Sequence, residues 1–175
     1  WWRRADQQAQ KRLESGVAQV QATPEALALA QGEERLTYRE LDAHANRLAH
    51  HLRGLGVKPD DKVAICLQRS VDTVVAMLAV MKAGGAYVPL DPSYPQGRLD
   101  FMLRDSRPRV LITTAALQDQ LPASPILWRT PVVDMTESEQ WQSLPSDAID
   151  PASFGLQPTH LAYVIYTSGS TGVPK

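Results

Sequence analysis

Cysteine is nearly absent from this sequence. Cys66 is the only one in 175 residues, so no internal disulfide can form and a secreted, disulfide-stapled scaffold is excluded. Long hydrophobic runs are missing too. The longest uninterrupted apolar stretch, Val74 to Met81, is bounded by Thr73 and Lys82, far short of the roughly 20 residues that cross a bilayer as a helix. No membrane partner is expected. Neither charge sign dominates: 18 Lys and Arg stand against 19 Asp and Glu, a formal net charge of -1. The basic excess of a nucleic-acid-binding domain is therefore lacking. No charged-then-apolar leader with a small-residue cleavage site opens the chain. Taken together, these absences point to a reducing, cytoplasmic setting.

What is present suffices for a core. Hydrophobic residues make up 43% and charged residues 21%, the balance of an ordinary globular protein, and a chain of this length buries roughly 70% of its unfolded surface. The chain opens on Trp1-Trp2 and closes at Lys175 in a run of Gly, Ser, Thr and Pro, so the expectation is a piece of a longer polypeptide. Residues 1–23 read as an interdomain linker or leader helix, rich in Gln, Ala and Arg and stopped at Thr23-Pro24. Arg3, Arg4, Lys11 and Arg12 form either a basic docking face or the solvated side of that helix.

From residue 24 to 175 the hydrophobic period alternates between two and about 3.6. Ala26 to Ala30 and Arg35-Leu36, around a turn at Gly32-Glu33-Glu34, predict a hairpin. Thr37 with Glu40 forms a capping box, and Tyr38, Leu41, Ala45, Leu48, Ala49 and Leu52 follow on one helical face. A helix is predicted to about Arg53, ended by Gly54 and Gly56. Lys62 to Leu67 is a continuous apolar strand that includes Cys66. Next come a helix from Val71 to about Ala83 stopped by Gly84-Gly85, a strand Ala86 to Pro89, a helix around Arg98 to Arg104, and a strand Val110 to Thr113. A short helix Ala115 to Leu121, a strand at Val132-Val133 and a strand from Leu161 to Tyr166 complete the series. Strands alternating with helices predict a mostly parallel α/β sheet covered on both faces. Between Leu121 and Pro158 lies the irregular part, read as a surface excursion.

Few side chains outside the last loop suggest chemistry. A buried structural thiol accounts for Cys66, since no second Cys or nearby His suggests a nucleophile or a metal site. His44, His50 and His51 read as exposed residues on the polar face of their helix, without metal-ligand spacing. Tyr87 reads as core, and Lys82 as solvated at a helix end where the dipole favours a cation.

The loop that follows the last strand differs. Thr167, Ser168, Gly169, Ser170, Thr171 and Gly172, with Val173 and Pro174 before Lys175, combine glycines that allow close backbone approach, hydroxyl donors and one cation. Backbone N–H groups in such turns make a concave donor surface suited to phosphate. The spacing differs from the common P-loop, and composition alone also accommodates a plain strand-to-loop connection.

Tyr166 to Lys175 resembles the signature phosphate loop of the adenylate-forming enzymes. Leu36-Thr-Tyr-Arg-Glu-Leu41 resembles the first core motif of nonribosomal peptide synthetase adenylation domains, and Met81-Lys-Ala-Gly-Gly-Ala-Tyr-Val-Pro-Leu-Asp-Pro92 the second. Tyr94 to Ser106 is also similar, except that Gly97 stands where the family has an acidic residue. The resemblance implies the N-terminal part of an adenylation domain's large subdomain, an incomplete α/β unit. It implies an amino-acid-activating ligase that uses ATP and Mg2+ and loads the acyl group onto a phosphopantetheine thiol. The implied partners are the amino-acid substrate, a downstream peptidyl carrier domain and an upstream condensation domain. Thr167 to Gly172 and Lys175 would contact the β- and γ-phosphates of ATP. The implied catalytic lysine, magnesium ligand and amino-acid pocket lie outside these residues, so this piece is expected to be inactive alone. A free-standing acyl-CoA or aryl-acid ligase shares the loop, although the first two motifs favour the peptide synthetase. A noncatalytic interaction fragment is the alternative of a different class.

Overall fold

The computed structural model describes residues 16–167. Residues 16–22 form helix α1, closed where the Thr23 N–H donates to the Gln19 carbonyl at 2.9 Å. The predicted helix before residue 16 lies outside the described residues. Strands β1 (Leu27–Gln31) and β2 (Glu34–Thr37) pair antiparallel as the expected hairpin.

Helix α2 (Tyr38–Gly54) begins with the capping box read from the sequence. Glu40 N–H donates to Thr37 Oγ1 at 3.3 Å, and Thr37 N–H donates to Glu40 Oε2 at 2.8 Å. Two donors that the first turn would leave unpaired are thereby satisfied. At its other end Gly56, at φ 83, lets Gly56 N–H reach the Arg53 carbonyl and Val57 N–H the Leu52 carbonyl. That is the Schellman closure, which needs the left-handed backbone.

Strands β3 (Lys62–Ile65), β4 (Ala86–Pro89), β5 (Val110–Thr113) and β6 (Val132–Asp134) form an all-parallel sheet in the order β4-β3-β5-β6. Period two divides their side chains between two cores. Val63, Ile65, Val110, Ile112 and Val133 face one side, where they meet α2 and α3 (Val71–Lys82). Ala64, Cys66, Val88 and Leu111 face the other, against Leu99, Met102 and Leu103 of α4 (Gln96–Ser106). Cys66 lies one residue past β3, not within it, although its N–H still donates to the Ile112 carbonyl at 2.9 Å.

The predicted strand from Leu161 to Tyr166 is reduced to one parallel bridge, Tyr163 to Tyr87. Tyr87 N–H donates to the Ala162 carbonyl and Val164 N–H to the Tyr87 carbonyl, at 3.1 and 2.9 Å. Pairing is confined to one residue of β4, too short for a ladder. The predicted helix at Ala115 is also shorter, α5 (Ala115–Gln118).

The excursion between Leu121 and Pro158 runs largely over the surface, as expected, but is anchored to the core at a few points. Its short helix α6 (Glu139–Gln142) buries Trp141 in the core that α2 covers. Asn46 Nδ2 of α2 donates to the Ser146 carbonyl at 2.7 Å, and His50 Nε2 lies 3.0 Å from the Asp147 carbonyl. Phe154 lies under the Arg53 guanidinium, 4.3 Å from carbon to ring centre, a favourable cation–π placement.

Lys82 is not solvated. Its Nζ donates to Asp42 Oδ1 at 2.8 Å, with both side chains largely covered, because α2 and α3 pack side by side. Asn46 holds the second carboxylate oxygen at 2.9 Å.

Gly84 closes α3 as Gly56 closes α2, at φ 88, with Gly85 N–H donating to the Val80 carbonyl at 2.9 Å. A methyl group on Gly84 would sit 2.6 Å from a Phe154 ring carbon. Gly84→Ala is therefore expected to destabilise the chain by about 2–3 kcal/mol, combining backbone strain and clash. In a Phe154→Ala background the same substitution should cost only the backbone share, about 1 kcal/mol. Chemical denaturation of the unaltered chain and the three variants checks this, and equal costs in both backgrounds would show that Phe154 does not press on Gly84.

Candidate functional site

Parallel strands deliver their following loops to one edge of a sheet, and in open α/β folds ligands bind at that carboxyl edge where neighbouring connections diverge. Here the chain leaves β3 toward β4 and leaves β5 toward β6. A cleft of about 510 Å³ opens at this edge, lined by Leu67, Arg69 and Thr73 after β3, by Asp91 and Ser93 after β4, and by Leu117 of α5. Thr113, buried at the end of β5, donates its hydroxyl to the Cys66 carbonyl at 2.8 Å and ties the two strand ends together.

Asp91 makes the turn after β4. Its Oδ1 accepts from Ser93 Oγ at 2.7 Å and from Ser93 N–H at 2.9 Å. The Ser93 hydroxyl, its amide and the Arg69 charge hold the Asp91 carboxyl below the usual carboxylate range. The second motif's Pro89, Asp91 and Pro92 thus build a loop, as their residue types suggest. At Gly97, near the start of α4, an added side chain would meet open space. The departure from the family pattern there costs no packing.

The segment beside β4 runs parallel to it, so the residues after Tyr163 emerge on the same carboxyl edge. Thr167 is exposed at its end. Of the sequence-predicted phosphate ligands, Thr167 alone is among the described residues. Ser168, Gly169, Ser170, Thr171, Gly172 and Lys175 lie outside them. Two partners of the stem are not legible in the sequence. Tyr166 Oη donates to Asp105 Oδ2 at 2.6 Å, and Leu161 N–H donates to Asp60 Oδ1 at 2.8 Å. Both contacts join positions far apart in the chain, so no local pattern exposes them. Positive φ at Asp60, 68°, hints at a special role only once the backbone is known.

The three α2 histidines are half-buried, not exposed. His50 is turned toward the Asp147 carbonyl, and burial pushes the His51 pKa below its ordinary value. Among the described residues no three His, Cys, Asp or Glu side chains converge as metal ligands do. Tyr87 is partly buried against the α2–α3 core, with the Tyr163 ring 5.7 Å away. No described helix is long and apolar enough to cross a membrane.

Comparison with known proteins decides the family. A family profile described as AMP-binding enzyme matches residues 17–175. The chain belongs to this AMP-binding enzyme family. It is 49% identical over 157 residues to one of the linear gramicidin synthase subunits of Brevibacillus parabrevis and 49% identical over 156 residues to malpinin synthetase of Mortierella alpina. These alignments cover 90% and 89% of this chain but 2% of each relative. Among solved structures it is similar to the nonribosomal peptide synthetase FmoA3, at TM-score 0.78 and 30% identity, over 96% of this chain and 17% of that one. It is also similar to the N-terminal subdomain of Klebsiella oxytoca NpsA, at TM-score 0.73 and 26% identity, over 93% of this chain and 40% of that one. The sheet and helices of this AMP-binding chain are thus those of an N-terminal adenylation subdomain.

Cys66 is buried, and its surroundings suit a structural thiol. Burial and the nearby Asp91 carboxylate push the thiol pKa up to about 11. The raised value means that the thiol stays protonated until the pH rises through that range. At pH 8 its thiolate fraction is roughly 100-fold below that of a free cysteine. A thiol-reactive chromogen at pH 8 is therefore expected to label the folded chain about 100-fold more slowly than the denatured chain. Equal rates would mean that Cys66 is accessible.

Proposed function

We propose that this chain is the N-terminal portion of a nonribosomal peptide synthetase adenylation domain, with residues 1–23 as the preceding linker or leader helix and 24–175 as the first part of the domain. The observation that carries this reading is the 49% identity to a gramicidin synthase subunit over 90% of the chain, joined to three family motifs in order. FmoA3, one solved relative, has structures with AMPPNP bound and with α-methyl-L-serine-AMP bound. The parent would accordingly activate an amino acid with ATP in the cytoplasm.

In that reaction a carboxylate oxygen of the amino acid attacks the α-phosphorus of ATP. The bond from that phosphorus to the bridging oxygen breaks, pyrophosphate leaves and an aminoacyl adenylate remains. In the second half the acyl group would pass from the adenylate to a phosphopantetheine thiol on a carrier domain, with AMP as the leaving group. Thr167 to Gly172 and Lys175 would hold the β- and γ-phosphates during the first half. Their contribution is positioning and neutralisation of charge on the leaving group. The magnesium ligand, carboxylate site and catalytic lysine implied by the family fall outside these residues. The isolated 175 residues are therefore expected to show no amino-acid-dependent exchange of pyrophosphate into ATP.

The phosphate role is testable in the parent synthetase. Lys175→Ala removes one charge-assisted contact, typically worth about 1.5–3 kcal/mol, so adenylation should slow by roughly 10- to 150-fold. Gly169→Val or Gly172→Val should do at least as much damage by blocking the backbone path. Thiol transfer from a supplied aminoacyl adenylate involves no β- or γ-phosphate and should be nearly unchanged. Equal losses in both half-reactions would assign the loop a folding role instead.

A further inference from the structure

Given the phosphate loop proposed above, we propose that Asp105 and Asp60 are positioning residues for ATP: each holds one end of the stem from which the loop departs, Asp105 through Tyr166 and Asp60 through Leu161. Ala162 and Val164 bury their side chains and the Tyr163 ring lies beside Tyr87, but the backbone of the stem is held more sparsely. Its backbone pairing with the sheet is confined to Tyr87 of β4, through two hydrogen bonds around one residue. Without further restraint so short a pairing frays. The two aspartates supply that restraint at opposite ends.

At the first end, Asp60 adopts φ 68 and its Oδ1 accepts the Leu161 N–H at 2.8 Å. Aspartate tolerates the left-handed backbone better than most residues. That conformation places its carboxylate where the stem begins. At the second end, the Tyr166 ring packs edge-on against Phe101, 6.3 Å between ring centres, and its hydroxyl donates to Asp105 Oδ2 at 2.6 Å. A hydrogen bond to a charged acceptor is stronger and more directional than a neutral one. Burial and the adjacent Asp105 charge hold the Tyr166 pKa well above its ordinary value, so the hydroxyl remains a donor throughout the working range. Thr167, the first residue of the proposed phosphate loop, is bonded directly to this clamped tyrosine. A rotation of Tyr166 would therefore move Thr167, the root of the proposed loop. Loop residues displaced by even an ångström lose much of their hold on a ligand.

The test measures ATP and AMP affinity separately, by calorimetry, in the parent synthetase. AMP lacks the β- and γ-phosphates, so the ratio of the two affinities isolates the loop. Tyr166→Phe, which keeps the ring and its packing, and Asp105→Ala should each weaken ATP about 3- to 10-fold relative to AMP, the ordinary effect of one lost hydrogen bond. The double variant should be no worse than Tyr166→Phe alone, since that change already removes the bond to Asp105 along with the longer contact of the Tyr166 hydroxyl to the Met102 carbonyl, 3.5 Å. Asp105→Asn keeps an acceptor oxygen and should restore most of the ratio. Asp60→Gly keeps the left-handed backbone but loses the acceptor, and should lower the ratio similarly. Lys175→Ala is the reference. If it shifts the ratio while the stem variants do not, the positioning role is overturned and the phosphate-loop reading stands. If Lys175→Ala also leaves the ratio unchanged, the phosphate-loop reading itself fails. Should Tyr166→Phe and Asp105→Ala weaken ATP and AMP alike, or lower only the melting temperature, their role is structural and the proposal is overturned.

Discussion

The placement of β3 constrains the rest of the structure. It is hydrogen-bonded on both edges, to β4 and β5, and covered on both faces. A strand in that position can carry no polar side chain without a buried partner. Val63, Ala64, Ile65 and the adjoining Cys66 meet the condition, two to each core. The chemistry of Cys66 follows from this geometry: a thiol needed to fill the α4 side of the sheet loses the solvent that would stabilise its thiolate. The same demand explains why α3, apolar around most of its surface, packs against the sheet and α2 together, while α2 keeps a polar face. Lys82 and Asp42 meet where those two helices adjoin. Truncating either partner would leave the other's charge partly desolvated and unpaired, a larger loss than the pair itself is worth.

The elements most legible in the sequence are those specified by local chemistry. β4 and β5 fall on the expected residues, Ala86–Pro89 and Val110–Thr113, because each apolar run of strand length follows closely on the glycines or proline after the preceding helix. The α2 cap is readable because both of its partners, Thr37 and Glu40, lie within one helical turn. Contacts between distant positions leave no such trace. The ion pair of Lys82 with Asp42, the hold of His50 on the Asp147 carbonyl, and the burial of Trp141 all depend on which helix packs beside which. For the same reason the sequence overstates the segment from Leu161 to Tyr166. Its apolar alternation is that of a strand, but whether a strand forms depends on how many of its backbone groups find a partner, and pairing here reaches only Tyr87. The proposed phosphate loop is read from resemblance to a family, and only its first residue, Thr167, is among the described residues.

The motifs resembling those of peptide synthetases divide the work between support and chemistry, and the sheet connects the two. Gly84 and Gly85 belong to the second motif and contact no part of the proposed phosphate loop among the described residues. Yet they end α3 so that the chain can turn directly into β4, and Gly85 leaves room for Val57 and the Asp61 carbonyl, which a side chain there would crowd. That carbonyl accepts the Ala86 N–H at 2.8 Å, the first bond that sets β4 in register. Tyr87, the next residue, is where the stem pairs. A substitution at Gly85 would therefore press on the group that sets β4 in register before it disturbed anything at the carboxyl edge. Thr167 stands at the end of this chain of constraints. Side chains with no contact to a ligand can thus be as restricted in identity as those that would hold one, because the position of the loop is inherited from theirs.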